Sequence, residues 1–100
     1  MAECKRKDSA FMNAIFQTAA GNPENQDRGA IITIGTKLVL VVADGAGGLS
    51  GGTEAAVMAV DLVRQHASTL DGPDSCTGLI QKIDQAIAKD KVAGETTCVI

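Results

Sequence analysis

The chain is 100 residues long, 45% hydrophobic and 21% charged, with a formal net charge of −3, which bounds it to one small domain with a modest core. It lacks the basic surplus that drives binding to a phosphate backbone, and Phe11 and Phe16 are its only aromatic residues, so nucleic acid is excluded as a partner. No apolar run approaches the ~20 residues of a membrane span, and the basic start Lys5-Arg6-Lys7 leads into a stretch broken by Asn13 and Gln17 rather than into a signal-peptide core.

In chain order, an initial strand is predicted over about residues 11–19, followed by the turn Gly21-Asn22-Pro23-Glu24-Asn25. The apolar segments 30–34 and 38–43 flank Gly35-Thr36 and read as a β-hairpin. A glycine-rich loop over 45–52 comes next. It leads into a helix over about 53–70, capped by Ser50 or Thr53. Ala56, Val60, Val63, Ala67 and Leu70 recur at helical spacing, with Asp61, Arg64, Gln65 and Ser68 on the other side. Asp71-Gly72-Pro73-Asp74 ends that helix. A second helix, about 75–92, turns Leu79, Ile80, Ile83 and Ile87 inward and stops at Gly94. Thr97-Cys98-Val99-Ile100 reads as an opening strand with no return, which is a pairing liability. A hairpin followed by two amphipathic helices predicts an α+β fold, an antiparallel sheet under a helical layer.

Cys4, Cys76 and Cys98 are widely spaced and form no C-x-x-C pair. An odd count without a secretion signal points to free thiols in a reducing, cytoplasmic compartment, and no four-ligand zinc set is present.

The most informative feature is the placement of two aspartates about the hairpin. If Gly35-Thr36 is a two-residue turn with glycine first, residues whose numbers sum to 71 lie opposite one another, and Asp27 faces Asp44. Directly opposed residues on neighbouring strands have Cβ atoms about 4.5–5.5 Å apart on one face of the sheet. Two carboxylates so placed repel, and one takes up a proton unless a cation lies beside them. Mg²⁺ or Mn²⁺ suits carboxylates, a backbone carbonyl and water. Gly45, next to Asp44, can bring its carbonyl close to an ion because it has no Cβ. A three-residue turn would put the aspartates out of step.

These residues carry a family resemblance. Asn25-Gln26-Asp27-Arg28, the strand into Asp44-Gly45-Ala46-Gly47-Gly48, and Gly51-Gly52-Thr53-Glu54-Ala55-Ala56 resemble the start of a PP2C-type (PPM) metal-dependent protein serine/threonine phosphatase. Gly94-Glu95-Thr96-Thr97 is similar to a Gly-x-Thr-Thr stretch in that family, and the resemblance covers roughly half the chain. It implies an α-β-β-α sandwich of two antiparallel sheets flanked by helices. These residues would be its N-terminal portion, an incomplete phosphatase domain that is inactive alone, because further metal aspartates come from the second half. It also implies two Mn²⁺ or Mg²⁺ ions, with Asp44 bridging both, the Gly45 carbonyl on one, and Gln26-Asp27 supporting the second partly through water. Asp44 and Asp27 are then the catalytic residues, and phosphoserine or phosphothreonine on a protein substrate is hydrolysed by in-line attack of water activated between the metals.

The chain departs from that pattern at two positions. The family's phosphate-gripping arginine is matched by Asn22, and Arg28 in an extended strand points away from Asp27. The histidine of some members is Ala46 here. Plainer readings stand beside the metal site: Asp27 as a strand-edge acid, Asp44 as a turn residue before glycine, His66 as a helix-surface residue, and Thr96 and Thr97 as ordinary strand formers. The glycine loop also sits where a phosphate cradle would, but lacks a Gly-Lys-Ser/Thr ending. A non-catalytic regulatory or interaction domain of the same fold is the alternative function.

Overall fold

The structure, a computed structural model, describes residues 2–8, 13–19, 25–46 and 51–100. The elements in chain order are β1 (Ala2–Asp8), β2 (Asn13–Ala19), β3 (Asp27–Ile34), β4 (Lys37–Gly45), α1 (Gly52–His66) extended by a 3-10 turn (Ala67–Thr69), α2 (Pro73–Lys89) and β5 (Thr96–Val99). Two antiparallel sheets result, one of β1 and β2, the other in the order β3-β4-β5. With the two helices they make an α+β fold.

The central hairpin forms because Gly35 can take φ +60°. Thr36 stays at negative φ, so the turn has the sign pattern of type II′, whose twist matches that of the flanking strands. Alternation then sorts the side chains. Val39, Val41, Ala43 and Ala30 are buried on one face, with Leu40, Val42 and Asp44 exposed on the other.

α1 covers the buried face, packing on β4 and β3. Its contact stripe is small: Ala55, Ala56 and Ala59 are fully buried, joined by Val60, Val63 and Ala67. Alanine at the contact lets the helix backbone approach the sheet closely, and the burial of these apolar surfaces drives the packing at ~25 cal/mol per Å². α1 and its 3-10 turn run back along β4, about 27 Å of helix against about 30 Å of strand, so the two elements end together. On the opposite face, the Phe16 ring of β2 lies where a Cβ on Gly29 would stand, within 2.5–2.7 Å of it. Glycine at 29 is what allows the β1–β2 hairpin to sit down on β3.

Several expectations are corrected in detail. The N-terminal segment, not read as a strand, is β1, because Ala2–Asp8 pairs antiparallel with β2. The strand expected over 11–19 is Asn13–Ala19, with Phe11 and Met12 outside the described residues. Gly51, not Thr53, occupies the N-cap of α1, at φ +99°, and Ser50 is not among the described residues. α2 starts earlier than expected because Pro73 suits the first helical turn. It ends at Lys89, where the Asp90 carboxylate accepts the Val92 and Ala93 backbone N–H groups at 2.8 and 2.9 Å and turns the chain. Ile80 is not inward: it is 38% exposed, because α2 packs on α1 along a narrow stripe of Cys76, Leu79, Ile83 and Ile87. The C-terminal segment does find a partner, pairing antiparallel with β4. No helix among the described residues is long and apolar enough to cross a membrane.

Lys37 ties the turn end of the hairpin to the helical layer. Its Nζ donates to the carbonyls of Ala67, Ser68 and Leu70 at 3.1, 3.3 and 2.7 Å, satisfying acceptors that the end of α1 leaves open and placing positive charge at the negative end of the helix dipole. Lys37→Met is expected to cost about 1 kcal/mol, a fall of roughly 4–8 °C in melting temperature, while Lys37→Arg retains most of it. Thermal melts followed by circular dichroism check this.

Candidate metal centre

The register of β3 on β4 runs from Ile34 opposite Lys37 to Asp27 opposite Asp44. The two aspartates are therefore direct cross-strand neighbours at the open end of the hairpin, on the face away from the helices. β5 extends the row, because Thr97 lies opposite Asp44 on its other side. Asp27, Asp44 and Thr97 thus stand in line across three strands. Asp44 and Thr97 are exposed and Asp27 is half-buried.

Asp27 is held by Asn25, which belongs to the motif read in the sequence, and by Thr18, which the sequence did not single out. Asn25 Oδ1 accepts the Asp27 backbone N–H at 3.1 Å, an Asx turn that starts the strand. Asn25 Nδ2 donates to Thr18 Oγ1, and Thr18 Oγ1 donates to Asp27 Oδ2, both at 3.4 Å. Thr18 is buried, so the β2 strand both covers β3 and orients its carboxylate. The Asn-x-Asp spacing was a legible signal for the Asx turn; the part played by Thr18 depends on packing of the two sheets and had none. Arg28 points to the opposite face, as alternation requires, where its NH1 donates to the Asn25 and Asp27 carbonyls at 2.6 and 2.7 Å.

The other end of the site is a close backbone junction. A Cβ on Gly45 would lie 2.5 Å from the Gly52 carbonyl oxygen, so glycine at 45 is required where β4 meets the start of α1. Gln26 is buried beside it, and its side-chain amide would meet a Cβ on Gly52 at 2.8 Å. Gly51 accepts N–H bonds from Ala55 at 2.9 Å and Gly94 at 2.7 Å. The Ala46 N–H donates to the Glu95 carbonyl at 2.9 Å. The loop before β5 is thereby tied to the segment that follows Asp44.

The electrostatics follow from this placement. A hydrogen bond to Asp27, then the charge of that carboxylate, and last a little desolvation hold the Asp44 carboxyl above its ordinary value of 3.8. A pair of acids that resists full ionisation is a pair that favours a cation, and oxygen ligands on an exposed sheet face suit a hard divalent ion with retained waters. The donor set present therefore fits Mn²⁺ or Mg²⁺ in part. Among the described residues, no cluster of three or more His, Cys, Asp or Glu forms around it.

No protein-family model, curated protein or solved structure matches the chain.

Of the other residues considered from sequence, Asn22 and the loop residues 47–50 lie outside the described residues. His66 is half-buried at the far end of α1, on the side of the domain near Lys37 rather than Asp44. The three cysteines are free thiols, and burial pushes the Cys98 thiol up.

Because the Asp44 carboxyl titrates above its unfolded value, its contribution to stability is present at low pH and is lost as pH rises through the folded value. Asp44→Asn is therefore expected to melt at a higher temperature than the parent chain at pH 7 in a chelator, with the difference shrinking as the pH falls towards 4. Adding Mn²⁺ should raise the melting temperature of the parent and leave that of the variant unchanged. Scanning calorimetry at both pH values, with and without metal, measures all three.

Proposed function

We propose that Asp27 and Asp44 hold a divalent cation for hydrolysis of a phosphate ester, as part of a PP2C-like protein serine/threonine phosphatase. The observation that carries this reading is the direct cross-strand pairing of the two aspartates, with the Asp44 carboxyl raised by its neighbour. It agrees with the motif resemblance, in which the same two positions bear metals and Gly45 contributes a carbonyl.

Within this reading Asp44 and Asp27 would hold the metal, Asp27 being positioned by the Thr18 and Asn25 hydrogen bonds. A bound Mn²⁺ or Mg²⁺ supplies neutralisation of the phosphate charge and activation of water. The Thr18 hydroxyl holds one oxygen of the Asp27 carboxylate, which limits the reorganisation needed when an ion arrives. Phosphoserine or phosphothreonine on a protein is the substrate class, since the exposed face admits a side chain borne on a polypeptide. The resemblance implies further carboxylate ligands to complete a two-metal site, and among the described residues no third one joins Asp27 and Asp44.

A second reading, a non-catalytic relative that binds metal or phosphoprotein without turnover, draws on Asn22 standing where the resemblance puts a phosphate-gripping arginine. Two measurements separate them. Two carboxylates and a carbonyl predict weak Mn²⁺ binding, with Kd on the order of 10⁻⁴–10⁻³ M, weakened at least tenfold in Asp44→Ala. Mn²⁺-dependent hydrolysis of a phosphoserine peptide by a longer protein that carries these residues within a complete domain should fall at least about 100-fold in the same variant. Unchanged turnover would overturn the metal assignment. Metal binding that depends on Asp44, with no turnover by the complete domain, would favour the non-catalytic reading.

A further inference from the structure

Lys5 lies opposite Phe16 in the β1–β2 ladder, so the two share one face of that hairpin, and both turn onto β3. The Phe16 ring fills the space over Gly29, and Lys5 Nζ donates to the Gly29 carbonyl at 2.8 Å. On the other face of the sheet, Val57, Val60, Asp61 and Arg64 of α1 recur at i, i+3, i+4 and i+7 and form one stripe. A cavity of about 150 Å³ lies along β3 at Arg28 and Gly29, where this stripe and Lys5 approach each other.

Its lining is cationic in a chain that is acidic as a whole. Lys5, Arg28 and Arg64 face a single carboxylate, Asp61, while the formal net charge of the chain is −3. Arg28 is already positioned: its Nη1 donates to the Asn25 and Asp27 carbonyls at 2.6 and 2.7 Å. Those bonds fix the guanidinium plane and leave Nε and Nη2 without a partner among the described residues. Arg64 makes no hydrogen bond or ion pair among the described residues, and Asp61 neutralises none of the three cations there. Lys5 keeps its bond to Gly29 and adds its charge.

We propose that this cavity binds a phosphate group. Its volume is well under the ~300 Å³ at which pockets for drug-sized ligands begin, so it suits one small anion and not a nucleotide. Three cations and one carboxylate leave an excess of two positive charges, which matches the charge of about −2 on a phosphate monoester at neutral pH. The arginine fork takes two oxygens of such a group side by side, and Lys5 and Arg64 supply charge from β1 and α1. Val57 and Val60 give the cavity an apolar wall, which strengthens these contacts over those in open water. Arg28 and the α1 stripe stand across the sheet from Asp27 and Asp44, so this site needs no metal and is independent of the metal reading.

Titration of the full chain with inorganic phosphate tests this, in a chelator and at constant ionic strength, followed by backbone amide NMR shifts. Amides of residues 5, 28–29 and 60–64 should move together and saturate, with Kd on the order of 10⁻³ M. Arg64→Gln, which removes no bond of the fold, should weaken binding about fivefold or more. Lys89→Gln removes the same charge from exposed α2 and should leave binding nearly unchanged. Asp61→Asn should tighten it about threefold, by removing the opposing charge. Shifts that grow without saturating, or that centre on other residues, would overturn the proposal. So would equal weakening by Arg64→Gln and Lys89→Gln, which marks diffuse surface charge. A phosphoserine peptide in place of inorganic phosphate separates the sources: tighter binding places the phosphate on a polypeptide, and equal binding means that the phosphate alone is read.

Discussion

The register of one hairpin governs this domain. With a period of two along each strand, a slip of one residue between β3 and β4 would turn Val39, Val41 and Ala43 to the solvent and Leu40, Val42 and Asp44 to the core. It would also remove Asp27 from Asp44. The two-residue turn at Gly35, open only to a residue tolerant of φ +60°, therefore sets the hydrophobic face and the acidic pair together. Core and site are one constraint here. The apolar burial beneath α1 holds two carboxylates side by side that would otherwise move apart.

The two ends of β4 are secured by different means. At the turn, Lys37 reaches over to the carbonyls that close α1, a polar contact from a long flexible side chain. At the site end, backbone meets backbone: Gly45 against Gly52, and Gly51 against Gly94 and Val92. Contacts of the second kind leave no room for a Cβ and little for adjustment. Rigidity thus concentrates beside the acidic pair, and it reaches β5 through the Ala46–Glu95 and Gly51–Gly94 hydrogen bonds. The Asp90 turn that ends α2 sets where that returning segment begins.

The parts of the fold that were legible in sequence are those fixed by local rules. Alternation and a glycine-first turn were enough to place Asp27 opposite Asp44, and 3.6-residue spacing was enough to name Ala56, Val60, Val63, Ala67 and Leu70 as core. Contacts made by docking were not legible. Ile80 carries the same apolar signal as Leu79 and Ile83, yet it is left exposed because α2 packs chiefly on α1 through its other apolar positions. The β1 strand, with three consecutive basic residues, gives no apolar alternation and is recruited by pairing with β2. Thr18 could be linked to Asp27 only once Phe16 was known to rest on Gly29. The start of α1 was misplaced for a related reason: Gly51 caps it because two backbones approach there, and no side-chain cap signal marks that.

The distribution of cover over the outer face bears on how the acidic pair can work. The β1–β2 hairpin shields β3, so Gly29 and Ile31 are buried, but it stops short of β4 and β5, where Leu40, Val42 and Val99 remain open. Asp27 sits at the margin of the cover, with one carboxylate oxygen held by Thr18, and Asp44 sits outside it. This asymmetry puts two chemically alike acids in different settings. Asp27 is pre-oriented and partly desolvated, while Asp44 is exposed and bears the cost of the repulsion in its own raised proton affinity. In water at high dielectric that repulsion is small, and an ion, on the proposed reading, would be held weakly. Any surface that came to lie over β4 and β5 would lower the local dielectric around Asp44, strengthen both the repulsion and the attraction for a cation, and make metal binding depend on that cover.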